Sequence, residues 1–324
     1  MADTPTSGRR AVPAAVLFLL LYLIWGFTYV ALRIGLAHAA PLTFAAGRAL
    51  LGGVVVAAAA AGARRPFPRR PDEHRFAALV GLGNVTALAG LMSVGAARVS
   101  AGETSILIYT QPLYTALLAW LWLREPLTSR RIGGLLAGFT GMTLVLADRV
   151  RPGAHPDWGA YMALVGGGLG WALSAVYYRK RQTEARRRGE QQADFLWLTA
   201  FQAFYGSIPL MLGGLLLESW HVEPVLDFWW TLLYSGVFAS GVANVLWFHL
   251  LNRREAVVVG AYVFFVPVFA VIFGALLLGE HLPPPALVGG LLIVTGIFLV
   301  NSPTKRPTPP SQLPLEQLHH GRPR

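Results

Sequence analysis

The chain has 324 residues, of which 54% are apolar and 13% charged, with 27 Lys and Arg against 16 Asp and Glu and no cysteine. A water-soluble domain carries about 25% charged residues, so this composition excludes both a disordered chain and an ordinary soluble one and points to a chain embedded in lipid. The formal charge of +11 therefore needs a cause other than nucleic-acid binding, and the missing cysteines remove disulfides, thiolate-held metal centres and thiol nucleophiles.

A bilayer core about 30 Å thick is crossed by about 20 residues of apolar helix. Residues 1–10 form a short polar tail ending in Arg9 and Arg10. The apolar run behind it is longer than a signal peptide's and many others follow, so it reads as a first membrane helix. Predicted helices then cover 11–32, 41–62 (interrupted by Arg48), 76–97, 104–123 and a shorter 132–147. A polar linker, 148–157, precedes 158–178, 195–217, 228–252 (containing His249), 256–279 and 282–301. Residues 302–324, rich in Pro and Gln without apolar period, are expected to be a disordered tail. The expected fold is all-α, a polytopic membrane protein of ten transmembrane helices.

Charge supplies the orientation, because Lys and Arg are retained on the cytoplasmic side. With the N-terminus inside, Arg9 and Arg10, the stretches 64–75, 124–131 and 179–188, Arg253 with Arg254, and the tail from Lys305 are all cytoplasmic, whereas the external segments hold Arg98, Arg149 and Arg151. Both termini are thus expected in the cytoplasm. The positive charge marks topology, with contact between 179–188 and anionic headgroups as an added expectation.

The chain also repeats itself. Pro112, Glu125, Gly134 and the pair Thr140-Gly141 recur at one constant spacing as Pro267, Glu280, Gly289 and Thr295-Gly296, and Trp25, Thr28, Val30 and Arg33 recur as Trp171, Ser174, Val176 and Arg179. The units are 11–147 and 158–301. Five helices per unit send the second copy into the membrane from the opposite side, so the repeats are expected to be inverted, as in secondary transporters.

Trp25-Gly26, Pro41 followed by Arg48, Pro112 with Glu125, and Gly134 with Gly141, partly repeated in the second half, resemble the EamA domain of the drug/metabolite transporter superfamily. The resemblance covers the whole membrane region. It implies a ten-helix exporter or importer of small metabolites in a bacterial cell membrane, with a central cavity lined by helices 1 to 4 and 6 to 9 and with helices 5 and 10 peripheral. The second half departs from the pattern, with Gln202 at the position of Arg48 and Ala172 in place of the Gly of the Trp-Gly pair.

A charge in the middle of an apolar helix costs about 2.5–3.5 kcal/mol on insertion scales and faces the bundle interior or a wet cavity. Arg48 either attracts an anionic substrate group with its guanidinium fork or is satisfied structurally by backbone carbonyls. Pro112 and Pro267 each free a carbonyl one turn earlier and form a candidate hinge pair, static kinks being the alternative. Residues three and four apart share a helix face. On that basis Trp25, Thr28 and Tyr29, then Tyr109, Gln111 and Tyr114, are candidates for a polar, aromatic substrate cavity. So are Trp171, Ser174 and Tyr178, then Gln202 and Tyr205, Asn244 and Trp247, and Tyr262.

Glu103 and His249 are candidate coupling residues, with a helix-dipole and an interfacial role as their alternatives. No carboxylate falls deep in a predicted helix, so facilitated diffusion stands beside proton coupling. Gly134 and Gly138 form a small-residue pair suited to close helix packing, with a homodimer face as an added expectation. HExxH, GxSxG and Walker motifs are missing, so no enzyme activity, cofactor or metal is expected. The expected partners are a small-molecule substrate and the bilayer. A small amphipathic metabolite is favoured, amino acids or related carboxylates first. A non-transporting receptor or scaffold and an intramembrane lipid-modifying enzyme remain as alternatives.

Overall fold

The computed structural model describes residues 13–99, 101–146, 157–218, 221–278 and 284–302. Both tails, the linker from 148 to 156, Glu280 and the side chain of Glu103 lie outside the described residues. In chain order the helices are α1 (Ala14–Gly35), α2 (Pro41–Gly62), α3 (Pro71–Ala96), α4 (Thr104–Leu123), α5 (Ser129–Val145), α6 (Trp158–Arg187), α7 (Phe195–Leu217), α8 (Leu226–Arg253), α9 (Ala256–Leu277) and α10 (Pro284–Asn301). Eight of them, all but α5 and α10, are long and apolar enough to cross a membrane. Among the described residues the only extended pairing is an isolated bridge between Ala39 and Val222.

The helix limits differ from the sequence expectation where polar residues prolong a helix. α3 starts at Pro71, five residues early by the numbering of the sequence, because Pro suits the first helical position and the Glu73 carboxylate accepts the Arg70 N–H at 3.1 Å. α6 continues past Tyr178 through a run of basic, helix-compatible residues to Arg187, and Gly189 at φ +66° follows its end. The charged extension is outside the apolar run, so hydropathy alone does not reveal it.

Two pairs of irregularities sit at matching places of the two halves. α4 is interrupted at Tyr109 and Thr110, just before Pro112, and α9 carries a 3₁₀ turn at Val263–Phe265, just before Pro267. A proline has no N–H to give to the preceding turn, and the freed Ile108 carbonyl oxygen would stand 3.0 Å from a Cβ on Gly168. α3 and α8 each contain a π segment, Leu82–Leu91 and Ser235–Val242, a local widening of the helix that tends to accompany functional sites.

α5 and α10 pack along glycines. A Cβ on Gly134 would stand 2.7 Å from the Gly296 carbonyl oxygen, and one on Gly141 would stand 2.5 Å from that of Gly289. Backbones this close leave no room for a side chain, the reason small residues dominate such seams. α10 turns Leu287, Leu291 and Phe298 outward at 77, 68 and 71% exposure, an apolar surface suited to lipid tails. The molecule is a multi-pass membrane protein.

Candidate functional site

A cavity of about 80 Å³ lies between α1, α2, α3, α4, α6, α7 and α8. That volume holds a few waters and is smaller than the roughly 300–1,000 Å³ of drug-sized ligand sites, so the structure is contracted around it. α1 contributes Trp25, Thr28 and Tyr29, α4 contributes Tyr109, and α6 contributes Trp171. The indole rings of Trp25 and Trp171 meet edge-on at 5.3 Å, with Trp247 behind both at 5.6 and 5.2 Å. The buried Nε1 of Trp171 and that of Trp247 have no hydrogen-bond partner among the described residues.

Arg48 enters the cavity from α2 and is 7% exposed. Its Nε has no acceptor, and no carboxylate among the described residues pairs with its guanidinium. The ionisable group that acts on it is Tyr29, on the same cavity, whose hydroxyl is engaged with Tyr109 and Ser105. A buried charge without a partner costs several kcal/mol, so an anion entering this cavity finds an uncompensated cation.

The lining also holds a chain of amides. Asn84, on the π segment of α3, donates to Gln202 Oε1 at 3.1 Å and to Asn244 Oδ1 at 2.8 Å. Asn244 in turn donates to the π-segment carbonyls of Ala239 and Ser240 at 3.3 and 3.1 Å. With its oxygen used, Gln202 is left with its NH₂ group as a donor, on the same cavity as Arg48.

Of the sequence candidates, Trp25, Thr28, Tyr29, Arg48, Tyr109, Trp171, Gln202 and Asn244 line the cavity. The others do not. Gln111 donates to Thr115 at 2.7 Å and Ser174 to the Trp171 carbonyl at 2.8 Å. Tyr178 lies between Phe76 and Phe248 and accepts from Gln182 at 3.1 Å. Tyr205 bonds His74 at 2.9 Å, and Tyr262 stacks on Phe18 at 3.9 Å between centroids. Tyr114 is half-buried on α4, and His249 meets the Phe195 ring at 5.5 Å. Asn84 was not among the candidates. Its signal was available as a lone amide within an apolar run, where polar groups tend to be functional.

The two ends of this bundle are closed by different contacts. At the His38 end, Ala40 donates to the His221 carbonyl at 3.1 Å and Glu223 to the His38 carbonyl at 2.8 Å. The Glu218 carboxylate accepts the N–H groups of Leu42 and Thr43 at 2.8 and 3.0 Å, capping α2. His38 Nδ1 lies 2.9 Å from Glu223, and this bond, with that from His221, holds the Glu223 carboxyl below its ordinary pKa.

At the Arg65 end, Arg65 faces Asp194 at 3.7 Å and its carbonyl accepts from Trp197 Nε1 at 3.2 Å. His74 Nε2 donates to the Pro68 carbonyl at 3.1 Å, and its Nδ1 lies 2.9 Å from the Tyr205 hydroxyl. Near the same end Glu125 accepts the N–H groups of Ala256 and Val257 at 3.1 and 3.2 Å. Burial raises that carboxyl above its ordinary pKa against the pull of the two amides.

The family model of the EamA-like transporter family matches residues 12–147 and again 158–302. The chain belongs to the EamA-like transporter family. Among its relatives is an uncharacterized transporter, YvbV, of Bacillus subtilis (strain 168), 30% identical, with 90% of this chain and 92% of that one covered. A "Probable amino-acid metabolite efflux pump" of Salmonella typhimurium is 27% identical over 87% of this chain and 93% of its own. A "Probable terminal-alkyne amino-acid exporter" of Streptantibioticus cattleyicolor is 28% identical over 86% and 90%. A solved crystal structure superposes with a TM-score of 0.74 at 20% identity, covering 89% of this chain and 97% of the other, a likeness of fold alone. The EamA-like chain is a transporter and not an enzyme.

Proposed function

We propose that this EamA-like protein is a secondary transporter that exports small amphipathic carboxylates, amino acids or close relatives of them, from the cytoplasm across the cell membrane. The observation that carries the reading is Arg48, a buried guanidinium without a counter-ion, on one cavity with the free amide of Gln202 and the Trp25 and Trp171 rings. A carboxylate supplies the missing charge, and the rings receive the apolar part of the same molecule. The names of the two amino-acid exporters among the relatives point the same way.

The proposed architecture is ten membrane helices in two inverted units with both termini cytoplasmic, which puts the His38 end outside and the Arg65 end inside. Reciprocal contacts support it: Gly81 packs on Gly206 and Gly52 on Gly236, as Gly134 does on Gly296 and Gly141 on Gly289. Each pair exchanges matching positions of the two halves, as a two-fold axis requires. In the proposed cycle the halves bend at the interruptions before Pro112 and Pro267, opening the cavity to one side at a time.

The test is counterflow of labelled amino acids and other metabolites in proteoliposomes, wild type beside Arg48→Gln. A charge-assisted contact contributes about 1.5–3 kcal/mol, so carboxylate flux at subsaturating substrate should fall by about tenfold to a hundredfold. Equal flux of carboxylates through both proteins would make Arg48 structural and end the substrate assignment. A pH gradient applied across the same vesicles tests Glu103 and His249 as coupling residues.

A further inference from the structure

A second hollow of about 220 Å³ opens at the Arg65 end, between the α2–α3 loop and the start of α7. The helices α3 and α7 that line it also line the central cavity. Along α3, Glu73 and Ala77 line the hollow, and Asn84 and Leu88, in the π segment that follows, line the cavity. Along α7, Leu198 lines the hollow and Gln202, one turn on, lines the cavity. What separates them is a tight stretch of the α3–α7 seam, where a Cβ on Gly81 would stand 2.4 Å from the Gln202 carbonyl oxygen and Thr86 donates to the Gly206 carbonyl at 2.7 Å.

The chemistry of the hollow resembles that of the cavity. Phe67 is 54% exposed and meets Trp197 and Phe201 edge-on at 5.0 and 5.7 Å, forming an aromatic shelf. Two acids line it as well, each holding the start of a helix. Glu73 accepts the Arg70 N–H, and Asp194 accepts the N–H groups of Leu196 and Trp197 while facing Arg65. The guanidinium groups of Arg69 and Arg70 pair with no carboxylate among the described residues. Two uncommitted cations beside an aromatic shelf suit one ligand class.

We propose that this hollow is a second binding subsite, taking an amphipathic carboxylate on Arg69, Arg70 and the Phe67–Trp197 shelf before it passes Gly81 to reach Arg48. The inference rests on the carboxylate reading of the central cavity. It adds a distinct place where the ligand waits, so that α3 and α7 part behind a molecule already bound.

The chain has no native cysteine, so single reporters can be placed without background. Gln192→Cys reports on the hollow and Ser240→Cys on the central cavity, each in purified full-length protein in nanodiscs. The probe is 3-phenylpropionate, with the uncharged 3-phenylpropanamide as control. The readout is the rate of modification by a small thiol reagent. A bound ligand slows modification by 1 + [L]/Kd, about fivefold when it stands at about four times Kd.

The expected result is protection of Gln192→Cys by the carboxylate alone, lost in Arg69→Gln/Arg70→Gln and retained in Arg48→Gln. Protection of Ser240→Cys is expected to show the reverse dependence. Protection at Ser240→Cys only, equal protection by the amide, or loss of the Gln192→Cys protection in Arg48→Gln would each overturn the second subsite while leaving the central one standing. Protection at neither reporter, in protein with native helical circular dichroism, would overturn both readings.

Discussion

The two ends of the α2–α7 pair are held by contacts of unequal quality. At the His38 end a carboxylate takes two N–H groups that the first turn of α2 cannot satisfy itself, and a two-bond backbone bridge joins the loops beside it. At the Arg65 end the corresponding loops meet through an ion pair at 3.7 Å and an indole bond, with the hollow between them. Backbone groups leave one another only at the cost of being unpaired, whereas a half-exposed ion pair exchanges readily for water. Between α2 and α7, the Arg65 end is therefore the more weakly tied of the two.

The largest effect that would sharpen this contrast comes from the contact behind the hollow. Gly81→Leu drives a side chain into the α7 backbone, and overpacking of this kind costs about 1–3 kcal/mol. The thermal midpoint should fall and thiol labelling of Ala77→Cys should rise. Gly62→Leu, where nothing lies within 4 Å of a Cβ, should leave both unchanged. An unchanged midpoint for Gly81→Leu would mean that α3 and α7 already stand apart.

Next comes Glu218→Ala, which removes the cap of α2 and should cost about 1 kcal/mol, as other lost helix caps do. Increased labelling of Ala40→Cys would locate the loss at that end. Arg65→Gln should cost only a few tenths of a kcal/mol. If denaturant melts give the two variants the same loss, the contrast between the ends is broken.

The smallest effect expected is on acidification. Because its hydrogen bonds depress the Glu223 pKa below the unfolded value, the contribution of Glu223 is present above the ordinary carboxylate pKa and lost as pH falls through its own lower value. Labelling at the His38 end should therefore rise only under acid conditions, relative to an exposed reference cysteine, and Glu223→Gln should flatten that rise.

Helix positions were legible because lipid imposes a length on apolar runs, and α2 and α7 match the expected limits. Arg48 was legible because a lone charge in such a run stands out, and Trp25 with Trp171 because the duplication aligned them. Tyr178, Tyr205 and Tyr262 were not distinguishable from cavity residues by spacing, which gives the face of a helix and not its depth. Tyr178 lies about two turns beyond Trp171, where Phe76 and Phe248 cover the same face. The π segments have no sequence signature, so the placement of Asn84 against both Gln202 and Asn244 could not be derived from periodicity.

The α5–α10 seam bears on how many charges the cavity can hold. Contacts that exchange Gly134 with Gly296 and Gly141 with Gly289 are those two identical chains would make across an axis. Two such chains would carry their cations in pairs, so a central site would hold either none or two. Joined in one chain, the halves differ, with an arginine at position 48 and an amide at 202 facing the same space. One guanidinium neutralises one carboxylate, so on the proposed reading the difference between positions 48 and 202 suits the cavity to a single small anion, as a symmetric pair would not.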